Sequence, residues 1–245
     1  MSKTLEIQIP DYLSIEQYRK MASVTSLDPF IQMVTAVSIF TGYTVDEIKQ
    51  WSVSSIKDLA NQFAAIADPK SEFHSIVEWN GTLYGYAPIS KATLGEFIDI
   101  ENLSKDLVNN MHKIAAIIYR PITKHRFDSI KFTVKQKIKM ASNKVENVFD
   151  WYEVEKYNNE ERKMREESFR DFPIHIFLGA ISFFLNSVNM YSISILSSEN
   201  KISKRMAART LQETLDNLSN NIGHGGGLYI NSLSPIYYKL RGTDL

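Results

Sequence analysis

The run FPIHIFLGAISFFLNSVNMYSISILSS, from Phe172 to Ser198, contains no Asp, Glu, Lys or Arg. A stretch this long without a charge belongs either in the centre of a folded body or in the core of a bilayer. His175, Asn186, Asn189 and several serines interrupt it. No aromatic belt with basic flanks brackets it, as a membrane span would have. The reading is therefore a helix from Ile174 to about Ser197 buried in a protein core, with a membrane anchor over Ile174 to Leu196 as the competing reading. The other elements must then supply surfaces that cover this one.

Most of those elements carry helix signals. Ser14 caps a helix through IEQYRKMA. Asp28-Pro29 pairs a capping carboxylate with proline at the first helical position, and Thr41-Gly42 stops the helix that follows. Thr44 and Glu47 are spaced as a capping box and open a short helix ending near Trp51. Ile56, Leu59, Phe63 and Ile66 recur at helical spacing up to Asp68-Pro69. Thr93 and Glu96 form a second capping-box spacing, and Ser104 is expected to cap the next helix. That helix carries Leu107, Met111, Ile114 and Ile118 as one apolar stripe, and Pro121 closes it. NNEERKMREESFR reads as a charged helix. Ile202, Met206, Leu211, Leu215 and Leu218 lie on a last amphipathic one, ended by the glycines of Asn221 to Gly227. Leu228 to Leu245 reads as short helix and loop.

The β content is expected to be small. TLEIQI, Thr4 to Ile9, alternates as a short strand. Asn80-Gly81 between apolar-rich flanks marks a hairpin, because a type I′ turn needs positive φ at both centres. Ile130 to Met140 alternates with lysines and reads as a strand giving way to a helix near Lys135. The fold class expected is mainly α, a multi-helix bundle with a small β-hairpin. It is one domain over residues 1–245, with sub-regions 1–70, 71–135 and 136–245.

Composition narrows the function classes. The 28 Lys and Arg balance the 28 Asp and Glu, which disfavours a protein built to grip a phosphate backbone. No cysteine is present, so disulfide frameworks, thiolate metal sites and cysteine nucleophiles are excluded. The N-terminal residues show no secretory h-region.

Four groups of residues are candidates for chemistry. Glu96, Asp99 and Glu101 precede His112 by a short distance, but no Glu-x-x-His pair of a di-iron bundle occurs. First-turn carboxylates complement the helix dipole, so these groups read as helix-end and packing residues. GHGGG, Gly223 to Gly227, contains the pattern of an esterase oxyanion loop, yet the Gly-x-Ser-x-Gly elbow such chemistry needs is missing. A hydrolase using the His224 loop is thus the weaker reading, and a glycine cap the stronger. His74, His112, His125, His175 and His224 show no metal-ligand spacing, and His125 is placed in a polar turn. Lastly, Lys124 to Lys144 carries seven Lys or Arg and one Asp, whereas Val145 to Glu167 carries eight Asp or Glu and four Lys or Arg. Lys131, Lys135, Lys137 and Lys139 form a basic face that reads as a solvated or protected edge, or as a contact between copies. No catalytic residue, cofactor or metal is expected.

FIQMVTAVSIFTGYTVDEIKQW, TLGEFIDIENLSKDLVNNMHKIAAIIYRPIT and FRDFPIHIFLGAISFFLNS, taken in order, resemble segments of tailed-bacteriophage structural and tail-assembly proteins. The second carries the resemblance best, through Phe97, Ile98, Asp99 and Ile100, then Met111 and His112, then Tyr119, Arg120 and Pro121. The chain is most similar to neck or tail ring proteins of crAss-like and other large tailed phages, with tail assembly chaperones the near alternative. The resemblance implies a virion protein acting through interfaces: homo-oligomeric rings below the portal, contacts with other neck and tail proteins, no membrane, and a basic Lys131 to Lys139 face lining a DNA channel. Tyr229, Tyr237 and Tyr238 of the tail would serve as interface anchors.

Overall fold

A computed structural model describes residues 7, 9–24, 28–67, 71–126 and 147–197. Among these residues the fold is mainly helical with one small antiparallel sheet. The strand expected over Thr4 to Ile9 falls mostly outside them, and Ile7 and Ile9 are not in a strand. The basic segment Ile130 to Met140, the helix carrying Ile202 to Leu218 and everything beyond it also lie outside.

The first four helices are α1 (Ile15–Ala22), α2 (Pro29–Thr41), α3 (Val45–Ile48) and α4 (Val53–Ala67). Ser14 and Gln17 close a reciprocal capping box on α1, as Thr44 and Glu47 do on α3. Asp28 accepts from the amides of Phe30 and Ile31 at the start of α2, and Gly42 ends that helix at φ 75°. This is the left-handed region where a side chain would be strained. Phe40 of α2 stacks on Phe63 of α4, centroids 4.4 Å apart.

The hairpin is the first half of a four-stranded sheet in the order β1-β2-β3-β4. β1 (Ile76–Trp79) and β2 (Thr82–Tyr86) turn at Asn80 and Gly81, both at positive φ. After β2 come α5 (Leu94–Ser104) and α6 (Leu107–Ile118). Ser104 is not the cap of α6. It sits in the last turn of α5, and its hydroxyl donates to the Glu101 carbonyl. The apolar stripe of α6 is buried as its spacing requires.

α6 runs without a loop into β3 (Tyr119–His125), which pairs β2 on one side and β4 (Tyr152–Val154) on the other. The residue before a proline is pushed into extended backbone, so Pro121 stops the helix and favours the strand at once. His125 therefore ends a strand and does not lie in a polar turn. α7 (Asn159–Glu166) and a 3-10 turn at Glu167–Asp171 follow, capped by Asn158.

α8 (Ile174–Ser197) is the charge-free helix at its expected bounds. Ile174, Phe177, Ala180 and Ile181 are fully buried, with Phe184 and Val188 nearly so. Each large apolar side chain buried this way stabilises the fold by about 1.5–3 kcal/mol. Among the described residues no helix is long and apolar enough to cross a membrane. The start of α8 is joined to the start of α1: the Ile15 amide donates to the Phe172 carbonyl (3.0 Å) and the Ile174 amide to the Leu13 carbonyl (2.9 Å). Glu16 adds an ion pair with Arg170 at 3.1 Å. Residues Glu72 and Phe73 cross α8 at Gly179, and Phe73 stacks on Phe183 at 4.1 Å.

Candidate functional site

A cleft of about 520 Å³ opens between the segment Pro88–Thr93, leading into α5, and the segment Tyr152–Tyr157, leading out of β4. Its floor is a buried ion pair. Glu96 of α5 and Arg120 of β3 are 3% and 5% exposed, with Arg120 Nη1 2.6 Å from Glu96 Oε1. Burial of both charges away from water is costly unless they meet, which is why this pair holds α5 against the sheet.

Local structure places each partner. Glu96 is the third residue of α5, so its carboxylate also accepts from the Thr93 amide in a capping box. Arg120 lies opposite Gly85 of β2. Over Gly85 sit the ring of Tyr152 and the side chain of Val154, both of which a Cβ there would overlap. Tyr152 Oη is held by the carbonyls of Ser75 and Tyr86, each at 2.9 Å. Burial pushes the Tyr152 phenol well above its ordinary range, so it stays a neutral donor.

The guanidinium of Arg120 is under-supplied with acceptors. It carries five N–H donors, and among the described residues Glu96 is its ion partner, while Nε is buried with no hydrogen-bond partner. Burial lowers the Arg120 pKa, opposed by the nearby Glu96 carboxylate. Around it, Arg165 pairs with Glu155 at 2.8 Å and Arg162 with Glu166 at 2.6 Å. Tyr157 donates to Asp99, and burial followed by this carboxylate raises its pKa.

The acidic residues and the histidine grouped in the sequence are thus separated. Glu96 goes to Arg120, Asp99 to Tyr157, and His112 lies buried in α6. Neither ring nitrogen of His112 has a hydrogen-bond partner among the described residues. Burial, with Arg170 and Lys113 nearby, holds its pKa down to about 4. Two histidines that the sequence scatters do meet: the rings of His74 and His175 are 6.5 Å apart, and His74 Nε2 is 3.5 Å from Glu72. Burial lowers the pKa of both. Among the described residues no group of three or more His, Asp or Glu is placed to hold a metal ion. Lys131, Lys135, Lys137, Lys139 and His224 lie outside the described residues.

Sequence reasoning missed the role of Arg120. The available signal was a single charge inside the run IAAIIYRPI: if that run is covered on both sides, its arginine needs a buried partner.

Comparison with protein-family models, with curated proteins and with solved structures finds no match.

Proposed function

We propose that this chain is a bacteriophage virion structural protein, a ring-forming component of the neck or tail that works through contacts between copies and with neighbouring neck and tail proteins. The observation that carries the reading is the outer face of α5. Leu94 and Ile98, one helical turn apart, are 75% and 44% exposed, while Glu96 and Ile100 of the same helix are buried. Phe30 and Ile31 of α2 add two more half-exposed large apolar groups. Side chains of this size and exposure suit a surface that is covered in an assembly. α5 also belongs to the segment through which the sequence resembles phage ring proteins, whose helices would pack as a multi-helix bundle with a small sheet.

Oligomeric state and particle content test the reading. Light scattering on the purified chain is expected to give a mass several times 28.1 kDa, and Leu94→Glu with Ile98→Glu to reduce it. Reversing Lys135, Lys137 and Lys139 to Glu is expected to weaken assembly and its salt dependence. Mass spectrometry of purified virions is expected to contain the chain. Its presence in infected cells but not in particles would favour the assembly-chaperone reading, and a monomer unaffected by every variant would overturn the ring.

A further inference from the structure

We infer that the cleft over Arg120 binds a small monoanionic organic acid, with its carboxylate on the guanidinium and its flat body beside Pro88, Phe149 and Tyr157. The inference stands on the cleft alone and is independent of the assembly reading.

A guanidinium recognises a carboxylate through paired N–H groups. Arg120 is 5% exposed, lines the cleft, and has a buried Nε without an acceptor. Nε itself has no surface open to the cleft, so an entering carboxylate would meet the terminal Nη groups, whose N–H donors exceed what the Glu96 pair uses.

The charge balance then sets the sign of the ligand. Of the charged groups in the lining, Glu96 is matched by Arg120, Lys91 by Asp150, Glu153 by Lys124 and Glu155 by Arg165. Lys156 has no ion pair among the described residues. Its place is not incidental. Ile122 pairs with Val154, and the Glu155 amide donates to the Pro121 carbonyl at 2.8 Å. Continuing that antiparallel register brings Lys156 level with Arg120. The lining itself carries three cations and three anions, but with the outside partners Asp150, Lys124 and Arg165 counted Lys156 is left as the one unmatched cation, which suits a single negative charge and disfavours a phosphate dianion. The volume and the mixed polar and aromatic lining fall within the range of small-molecule sites.

The test uses the full chain at constant ionic strength, with benzoate as probe and benzamide and benzylamine as its neutral and cationic counterparts. Calorimetric titration and thermal unfolding are expected to show saturable binding of benzoate only. Lys156→Ala, on an exposed side chain, is expected to weaken benzoate binding about threefold with the unliganded fold intact. The double variant Glu96→Gln with Arg120→Gln, which leaves no orphan charge, is expected to weaken it more than about tenfold. If that variant does not fold, Lys156→Glu gives the reading, with a larger loss than Lys156→Ala. Acetyl-glutamate amide is run beside benzoate, since an acidic side chain carries the same carboxylate. Tighter binding of that peptide unit would overturn the free-acid assignment. Equal binding of benzamide, lack of saturation by benzoate, or unchanged binding in Lys156→Ala and Lys156→Glu would overturn the site.

Discussion

Gly179 of α8 faces the backbone of Glu72 so closely that a methyl group on its Cα would overlap the Glu72 carbonyl and approach the Phe73 amide to 2.7 Å. Two effects of Gly179→Ala therefore oppose each other. Helix propensity favours alanine by about 1 kcal/mol. Overlap with backbone, which cannot swing aside as a side chain tip can, costs about 1–3 kcal/mol or more. Sterics should win, and urea unfolding is expected to show a lower midpoint for Gly179→Ala. A raised midpoint would mean that Glu72 and Phe73 do not cross the helix there.

Gly95 makes the opposite case. It is exposed near the start of α5, and an added Cβ would meet nothing closer than Thr93 Oγ1 at 3.9 Å. Gly95→Ala is expected to raise stability by about 0.5–1 kcal/mol, measured by the same unfolding.

Two buried tyrosines should respond with opposite signs to loss of the hydroxyl. Tyr152 Oη shares its proton between the Ser75 and Tyr86 carbonyls. Tyr152→Phe is expected to cost about 1–2 kcal/mol. The Tyr86 hydroxyl is buried with no partner among the described residues, so Tyr86→Phe should be neutral or stabilising by up to about 1 kcal/mol. Thermal unfolding of the two variants side by side checks the pair.

The Glu96–Arg120 pair should be far more costly to break than to replace. Arg120→Met leaves a carboxylate buried alone, at about 3–5 kcal/mol, whereas Glu96→Met with Arg120→Met should recover most of that loss. A double-mutant cycle by denaturant unfolding measures the coupling. Additive losses would show that the two charges are not held together.

Acid should weaken the fold through His112. Its folded pKa is held at about 4 against an ordinary value of 6.5. Below pH 6.5 the unfolded chain takes up the proton first, so stability is full above 6.5, falls toward pH 4 and levels off beneath it. The loss from this group is about 3 kcal/mol. His74 and His175 shift in the same direction, so His112→Leu should flatten the slope between pH 6.5 and 4 without abolishing it. Unfolding at pH 7.0, 5.5 and 4.5 measures this, and an unchanged slope would place His112 in contact with water.

The helices were legible because their signals are local. The Ser14 and Thr44 boxes, Asp28-Pro29 and Gly42 each state an end within a few residues. The turn at Asn80-Gly81 is legible for the same reason. β3 and β4 were not. One follows α6 without a loop, the other is three residues long, and both exist because of partners distant in the chain. The Ser104 reading failed because a serine near a helix boundary can bond backward to Glu101 as readily as forward. The cleft shares the fate of the strands: Glu96 was readable as a cap, but nothing periodic links it to Arg120, and only the tertiary packing that sets α5 beside β3 brings them together.

The paired backbone bonds of Leu13–Ile15 with Phe172–Ile174 give α1 and α8 a common origin. Glu16 and Arg170, 154 positions apart, reinforce it. A pull on the residues before Leu13 would reach the buried start of α8 across two short bonds, bypassing the sheet. The N-terminal segment is in that sense a handle on the hydrophobic interior, and a load applied there would be borne first by the clasp.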